Sequence, residues 1–251
     1  MNIITTAGPG HTLNELINRL VTLAVQPETR ADQWQLYPGP LGLYARHSDD
    51  YGFGQHQELC DFYNAKLRCP GADTNYEFDI KDLEWFQLML ERSGVDVMPL
   101  YFNTISVERL QNILPHTIRF TAMLDLPNST HRHHHLMMEY STGAADSVDY
   151  SKALNIELLA RRLLKKHRSE QQLLQQLEGH GYHIIDINQI LSGDIDPILS
   201  AFSTPVDEVR QQAMLAEIQK YLFVNQCSHP TLIKLNETPW HNMQDYLQEE
   251  F

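Results

Sequence analysis

The chain has 251 residues, of which 42% are hydrophobic and 20% charged, a composition typical of globular proteins that excludes collagen-like, coiled-coil and wholly disordered chains. Its net charge of −13 repels duplex DNA and anionic lipid, so we expect neither nucleic acid nor membrane as a partner. The chain lacks the apolar run of roughly 20 residues that a membrane span needs, and its N-terminus lacks a secretory signal pattern. Its three cysteines include no CxxC pair, which argues against a disulfide framework. We therefore expect a cytoplasmic protein.

The first predicted elements are a strand, a tight turn and a helix. The apolar run at residues 3–7 is followed by Gly8-Pro9-Gly10 and then by a helical pattern. The apolar positions of that pattern share one face and are Leu13, Leu16, Ile17, Leu20, Val21 and Ala24. From Gln26 the periodicity fades, and we expect an irregular insertion at about residues 27–75.

Helices and strands alternate after the insertion. The patterns predict a helix from Asp79, strands at 95–102 and 118–126, a His-rich helix at about 129–140, a long helix within 154–177 and a strand at 182–187. A last helix is predicted to begin with Thr204 as its cap and Pro205 at its first position, and to run to about Val224.

This alternation predicts an α/β fold: a parallel sheet covered by helices on both faces, in a single domain of residues 1–251. Ligands of such sheets bind at the carboxyl ends of the strands.

The turn after the first strand is the strongest candidate site. Its glycines let backbone N–H groups converge, and the N-terminus of the following helix adds partial positive charge. With the Thr12 hydroxyl, the turn would hold a phosphate or sulfate, although it lacks the Lys of a Walker A loop. A turn that merely joins strand to helix is the alternative interpretation.

This segment resembles the 5′-phosphosulfate loop of P-loop sulfotransferases, in which a strand is followed by P-K-x-G-T-T and a helix. Gly10-His11-Thr12 matches the G-T-T, and the order of the later strands and the closing helix is also similar. The resemblance implies a P-loop-containing nucleoside triphosphate hydrolase fold of the sulfotransferase-like type. It implies transfer of a sulfuryl group from 3′-phosphoadenosine 5′-phosphosulfate to a hydroxyl or amine of a small molecule or glycan.

The resemblance also implies roles for individual residues. The 5′ side of the donor nucleotide would be held by Gly8, Pro9, Gly10, His11, Thr12 and Leu13. The 3′ side would be held by Ser129 and Arg132. The candidates for the catalytic base, chosen because imidazole accepts protons near neutral pH, are His11, His47 and His56.

Two differences from the family pattern support an alternative function. The family has a Lys where this chain has Gly8, and an Arg where it has Asp125. A non-catalytic relative that binds an anion or a protein therefore remains the alternative.

Two further clusters stand out. His131 and His135 have the i,i+4 spacing of a two-His metal site, but there is no H-E-x-x-H motif, and we expect no metal. Imidazoles that cap the helix or pair with carboxylates are the favoured interpretation, and phosphate binding together with Arg132 is the other. The basic cluster at 161–168 predicts a solvated helix face, with docking of an anionic substrate or acidic partner as the alternative.

Overall fold

Helices and strands alternate along the parts of the chain that the computed structural model describes, which are residues 3–7, 12–25, 36–37, 43–44, 84, 88, 97–101, 117–132, 156–224 and 230–247. The strands are β1 (Ile3–Ala7), β2 (Leu36–Tyr37), β3 (Leu43–Tyr44), β4 (Val97–Tyr101), β5 (Ile118–Met123) and β6 (Tyr182–Asp186). The helices are α1 (Thr12–Val25), α2 (Ile156–Leu177), α3 (Ile187–Leu191), α4 (Asp196–Leu199), α5 (Glu208–Val224), α6 (Pro230–Glu237) and α7 (Trp240–Met243), which a 3-10 turn follows at Gln244–Leu247.

Four strands form a parallel sheet in the order β4-β1-β5-β6. β1 lies inside this sheet, because Ile3 is opposite Val97 of β4 on one side and opposite Ile118 of β5 on the other. The short β2 and β3 pair antiparallel in a separate sheet within the predicted insertion. The described elements, with a parallel sheet among many helices, agree with the α/β class that the sequence predicts.

Helices pack against the sheet and against one another. The chain passes from β1 to β4 in one direction across the sheet, and from β5 through α2 to β6 in the other. Right-handed crossovers, the general rule for such connections, would place α1 and α2 on opposite faces. α1 packs against β1, β4, β5 and α5, whereas α2 packs against α6, α7 and the 3-10 turn. The residues of β5 between its two ends are buried.

The core is formed by the apolar faces that the helical spacing predicts. In α1 the positions Leu16, Ile17, Leu20, Val21 and Ala24 are at most 3% exposed. They belong to one buried cluster that also contains residues of β5, α2, β6 and α5. Each fully buried Leu or Ile side chain contributes about 1.5–3 kcal/mol relative to an exposed one. Among the described residues, no helix has both the length and the apolar character needed to span a bilayer.

Some of the predicted helix and strand boundaries agree with the structure, and others differ from it. α2 and β6 lie within one or two residues of their predicted limits, and the helical Glu84 and Leu88 agree with the helix expected from Asp79. The strand predicted to reach residue 126 ends at Met123. Of the predicted His-rich helix, residues 129–131 form a turn or irregular backbone, Arg132 is helical, and residues 133–140 lie outside the described part of the chain.

The start of α5 differs from the prediction. The helix begins at Glu208 rather than at Pro205, and its cap is Asp207 rather than Thr204. Asp207 Oδ1 accepts a hydrogen bond from the Arg210 backbone N–H at 2.9 Å, and its Oδ2 lies 3.0 Å from Arg210 Nε. A charged carboxylate that binds both the helix N-terminus and a cation is a stronger cap than a hydroxyl.

We expect Asp207→Ala to lower the free energy of unfolding by about 1–2 kcal/mol, because the first turn of α5 loses its cap. Thr204→Ala, at the cap position that the sequence predicts, should change it by less than about 0.5 kcal/mol. Urea denaturation of the two variants measures both values. Equal losses, or a larger loss for Thr204→Ala, would contradict the observed helix start.

A buried ion pair joins α1 to α5. Arg19 Nε lies 3.5 Å from Glu217 Oε1, and the two side chains are 1% and 8% exposed. Lys220 Nζ lies 3.9 Å from the other carboxylate oxygen of Glu217. At the end of α1, Arg210 Nη1 donates a hydrogen bond to the Ala24 carbonyl at 3.1 Å. Helix α1 is therefore held to α5 by charged groups at two points.

Glu217→Ala should destabilise the fold by about 3–5 kcal/mol in chemical denaturation, because the buried Arg19 charge loses its carboxylate. The matched control is Gln219→Ala, an exposed position of the same helix, which should change stability by less than about 0.5 kcal/mol. The double variant Arg19→Met/Glu217→Leu should recover most of the loss, since it removes both charges and keeps the volume. Similar stabilities for Glu217→Ala and Gln219→Ala would show that the pair does not matter.

Candidate functional site at the carboxyl edge of the sheet

The carboxyl ends of the four parallel strands meet at one edge of the sheet. β1 and β5 are neighbours there, with Thr6 opposite Thr121, and their onward connections run in opposite directions. Such a topological switch point is the place where open α/β sheets bind ligands. The chain thus leaves the sheet from adjacent strands, at the end of β1 and at the β5 loop (residues 124–132).

The described residues of the predicted donor site lie at this edge. Thr12 and Leu13 are the first two residues of α1, and Ser129 and Arg132 belong to the β5 loop. The N-terminus of α1 follows β1, so the positive end of its dipole lies on the carboxyl side of the sheet. The other predicted site residues lie outside the described part of the chain and are Gly8, Pro9, Gly10, His11, His47 and His56.

Hydrogen bonds within the β5 loop make it a compact turn. The Ser129 N–H donates to the Leu126 carbonyl at 3.4 Å, and the His131 N–H donates to Ser129 Oγ at 2.9 Å. Asn128 Nδ2 donates to Asp125 Oδ2 at 2.8 Å. Ser129 is only 3% exposed, so its hydroxyl lies inside the turn.

Arg132 ties the β5 loop to the end of α6. Its Nη1 donates to the carbonyls of Leu126 and Pro127, both at 3.4 Å. Its Nη2 donates to the carbonyls of Asn236 at 2.7 Å and Thr238 at 3.0 Å. With four backbone carbonyls as partners, the guanidinium is a structural link between two distant segments.

The charge of Arg132 has no counter-ion in the described part of the chain. The residue is 6% exposed, no carboxylate there lies within ion-pair distance of it, and its Nε–H has no hydrogen-bond partner. Burial lowers the pKa of the Arg132 guanidinium from its ordinary value, because removal from water disfavours the charged form. Burial likewise lowers the pKa of His131, which favours its neutral imidazole. An anion beside the loop would therefore stabilise Arg132.

The structure changes the role expected for Arg132. The sequence predicts a guanidinium fork that offers two N–H groups to phosphate oxygens, but both Nη groups donate to backbone carbonyls. Within the Arg132 guanidinium, only the Nε–H has no hydrogen-bond partner among the described residues, and it is buried.

The residues that hold the β5 loop from outside were not predicted. Asn188 Nδ2 of α3 donates to the Asp125 carbonyl at 3.3 Å, and Asn236 Nδ2 of α6 donates to the Thr130 carbonyl at 2.8 Å. No local sequence pattern identifies Asn188 and Asn236, because each side-chain amide reaches the loop only through the tertiary fold.

The predicted solvated face of α2 is solvated only in part. Lys165 and Arg168 are exposed, and Arg161 pairs with Glu157 at 2.9 Å. Lys166, however, is 9% exposed, and the ring of His167 packs edge-on against Trp240 at 5.0 Å. The inward side of the basic cluster therefore belongs to the packing between α2 and α7.

No group of three His, Cys, Asp or Glu residues that could hold a metal ion occurs in the described parts of the chain. His133, His134 and His135 lie outside those parts. The expectation that no metal binds therefore stays a prediction.

Comparisons of the chain with protein-family models, with curated proteins and with solved structures find no match. The site is consequently defined by its own geometry: two adjacent strand ends, a helix N-terminus and a buried cation.

Arg132→Ala should lower the free energy of unfolding by about 2–4 kcal/mol, because four carbonyls lose a charged donor. Arg132→Lys keeps the charge but has one nitrogen in place of a planar fork, so its stability should be intermediate. Chemical denaturation provides the comparison, with Arg168→Ala on exposed α2 as the control. If Arg132→Ala is as stable as Arg168→Ala, the link between the loop and α6 contributes nothing.

Proposed function

We propose that this protein binds a nucleotide carrying phosphate and sulfate groups at the carboxyl edge of its sheet, and that it transfers a sulfuryl group from 3′-phosphoadenosine 5′-phosphosulfate. The acceptor is a hydroxyl or amine of a small molecule or glycan. The observation that carries the proposal is the buried guanidinium of Arg132, which among the described residues lacks an ion pair and has an unpartnered Nε–H. An anionic ligand group would supply the missing acceptor and the missing negative charge.

The proposal divides the nucleotide between two adjacent strand ends. The turn after β1 and the N-terminus of α1 hold the 5′-phosphosulfate through backbone N–H groups, as the resemblance of Gly8–Leu13 to the sulfotransferase loop implies. Ser129 and the Nε–H of Arg132 serve the 3′-phosphate from the β5 loop. Because β1 and β5 are hydrogen-bonded neighbours, a single ligand could contact both the segment after β1 and the β5 loop.

The reaction requires positioning and charge stabilisation more than covalent chemistry by the protein. The acceptor oxygen or nitrogen attacks sulfur, and the bond from sulfur to the bridging oxygen of the 5′-phosphate breaks. The leaving group is 3′-phosphoadenosine 5′-phosphate, and the acceptor proton passes to a general base, for which His11, His47 and His56 are the candidates.

A second candidate is a non-catalytic relative that binds an anion or a protein without transfer. Gly8 stands where the family has its loop Lys, and Asp125 stands where it has an Arg. Asp125 also has a structural partner, because its carboxylate accepts a hydrogen bond from Asn128 Nδ2 at 2.8 Å. These observations favour binding without sulfuryl transfer.

We expect 3′-phosphoadenosine 5′-phosphate to raise the melting temperature of the wild-type protein more than ATP or adenosine 5′-phosphosulfate does. Ligand at 100 times its Kd should contribute about 2.7 kcal/mol of stability. Arg132→Lys lacks an Nε–H, so it should lose most of the difference between the ligand with a 3′-phosphate and adenosine 5′-phosphosulfate.

Two controls complete this experiment. Arg168→Lys, at an exposed position of α2, should bind all three ligands as the wild type does. Incubation with 3′-phosphoadenosine 5′-phosphosulfate and mixed hydroxyl and amine acceptors separates the two candidates, since formation of a sulfated acceptor requires transfer. Binding without any sulfated product would support the second candidate. Equal or absent shifts for all three nucleotides would reject the first candidate and would leave only the protein-binding form of the second.

A further inference from the structure

Asn236 contacts the β5 loop through both its backbone and its side chain. Its carbonyl accepts from Arg132 Nη2 at 2.7 Å, and its Nδ2 donates to the Thr130 carbonyl at 2.8 Å. The bonds from Arg132 to carbonyls of its own loop are longer, at 3.4 Å. The closest hydrogen bonds that shape this end of the loop thus come from a residue 104 positions away from Arg132.

Asn236 stands on a well-anchored helix end. Leu232 and Leu235 of α6 are fully buried, and α6 packs against α2. Beyond Asn236, Thr238 closes the last turn, since its N–H and its Oγ1 donate to the Lys234 carbonyl at 3.0 and 2.7 Å. The position of Asn236 is therefore set by α6 and its core contacts, and the loop is held against it.

The two contacts bracket the part of the loop that the proposed function assigns to the ligand. Thr130 and Arg132 are held by Asn236, and His131 between them donates its N–H to Ser129 Oγ at 2.9 Å. Fixing the Thr130 carbonyl and the Arg132 side chain of a short turn restricts the residues between and beside them. Ser129 and the Nε–H of Arg132 are the groups restricted in this way.

We infer that Asn236 is a positioning residue of the candidate site: it sets the conformation of the β5 loop and thereby the placement of Ser129 and Arg132. The inference rests on the proposed function for the identity of the ligand, whereas the coupling between Asn236 and the loop exists without ligand. The C-terminal helix α6 is accordingly part of the binding site, although it need not touch the nucleotide.

The test is amide hydrogen exchange of the full chain without ligand, in Asn236→Ala and in the matched control Asn242→Ala. Asn242 is exposed in α7 and makes no side-chain bond to the β5 loop. Alanine is a better helix former than asparagine, so faster exchange in Asn236→Ala cannot come from a weaker α6 propensity. We expect the Ser129 and His131 amides to exchange about tenfold faster in Asn236→Ala, with α1 and α5 unchanged.

A second variant, Asn236→Asp, tests the same contact independently and gives an expected order of loop exchange rates. Asn236→Asp places a carboxylate oxygen against the Thr130 carbonyl, so its loop should exchange faster still than that of Asn236→Ala. Unchanged loop exchange in both variants would overturn the inference. Acceleration spread equally over the loop, α1 and α5 would overturn it as well, because it would show a general loss of stability.

Binding of 3′-phosphoadenosine 5′-phosphate by the same proteins separates this inference from the proposed function. If the loop amides respond and the wild type does not bind this nucleotide, positioning by Asn236 stands and the nucleotide proposal falls. If the wild type binds, Asn236→Ala should weaken binding by about tenfold while Asn242→Ala does not. Binding that is equal in all variants, with an unaltered loop, would leave the nucleotide proposal intact and remove Asn236 from the site.

Discussion

A buried guanidinium needs a partner for each of its N–H groups and compensation for its charge. Arg132 meets most of this requirement with four backbone carbonyls, two from its own loop and two from the end of α6. Carbonyls of ordered backbone have little freedom to move, so the guanidinium fixes the distance between the two segments. The β5 loop and the C-terminal helices therefore form one unit at the carboxyl edge of the sheet.

The same requirement connects the fold to the proposed chemistry. The chain carries a net charge of −13, which opposes the approach of an anionic nucleotide. The proposed binding would then depend on local positive potential, and the described residues of the carboxyl edge offer two sources of it: the N-terminus of α1 and the buried charge of Arg132. The strand order β4-β1-β5-β6 brings the segments that carry them to neighbouring strands. The buried charge of Arg132 and the N-terminus of α1 are thus brought to the same edge of the sheet by the strand order.

Helix α1 depends in turn on α5. Arg19 lies within the buried side of α1, where a charge is tolerated only with a partner, and Glu217 provides that partner across the helix interface. Arg210 adds a bond from the first turn of α5 to the last turn of α1. Because α1 begins at the candidate site, its direction influences where the positive end of its dipole lies. The charged groups between α1 and α5 therefore contribute to the geometry of the candidate site at the carboxyl edge, although they lie far from it.

The sequence by itself determined the alternation of helices and strands, the buried stripe of α1, the extent of α2 and the position of Ser129 and Arg132 after β5. These features follow from the spacing of apolar residues, which depends only on neighbours along the chain. The tertiary structure alone decided the partners of Arg132. They are backbone carbonyls, which every residue possesses, so no residue type marks them. It also decided that Asp207 rather than Thr204 caps α5, because the arrangement in space selects between two residues that can both serve as caps.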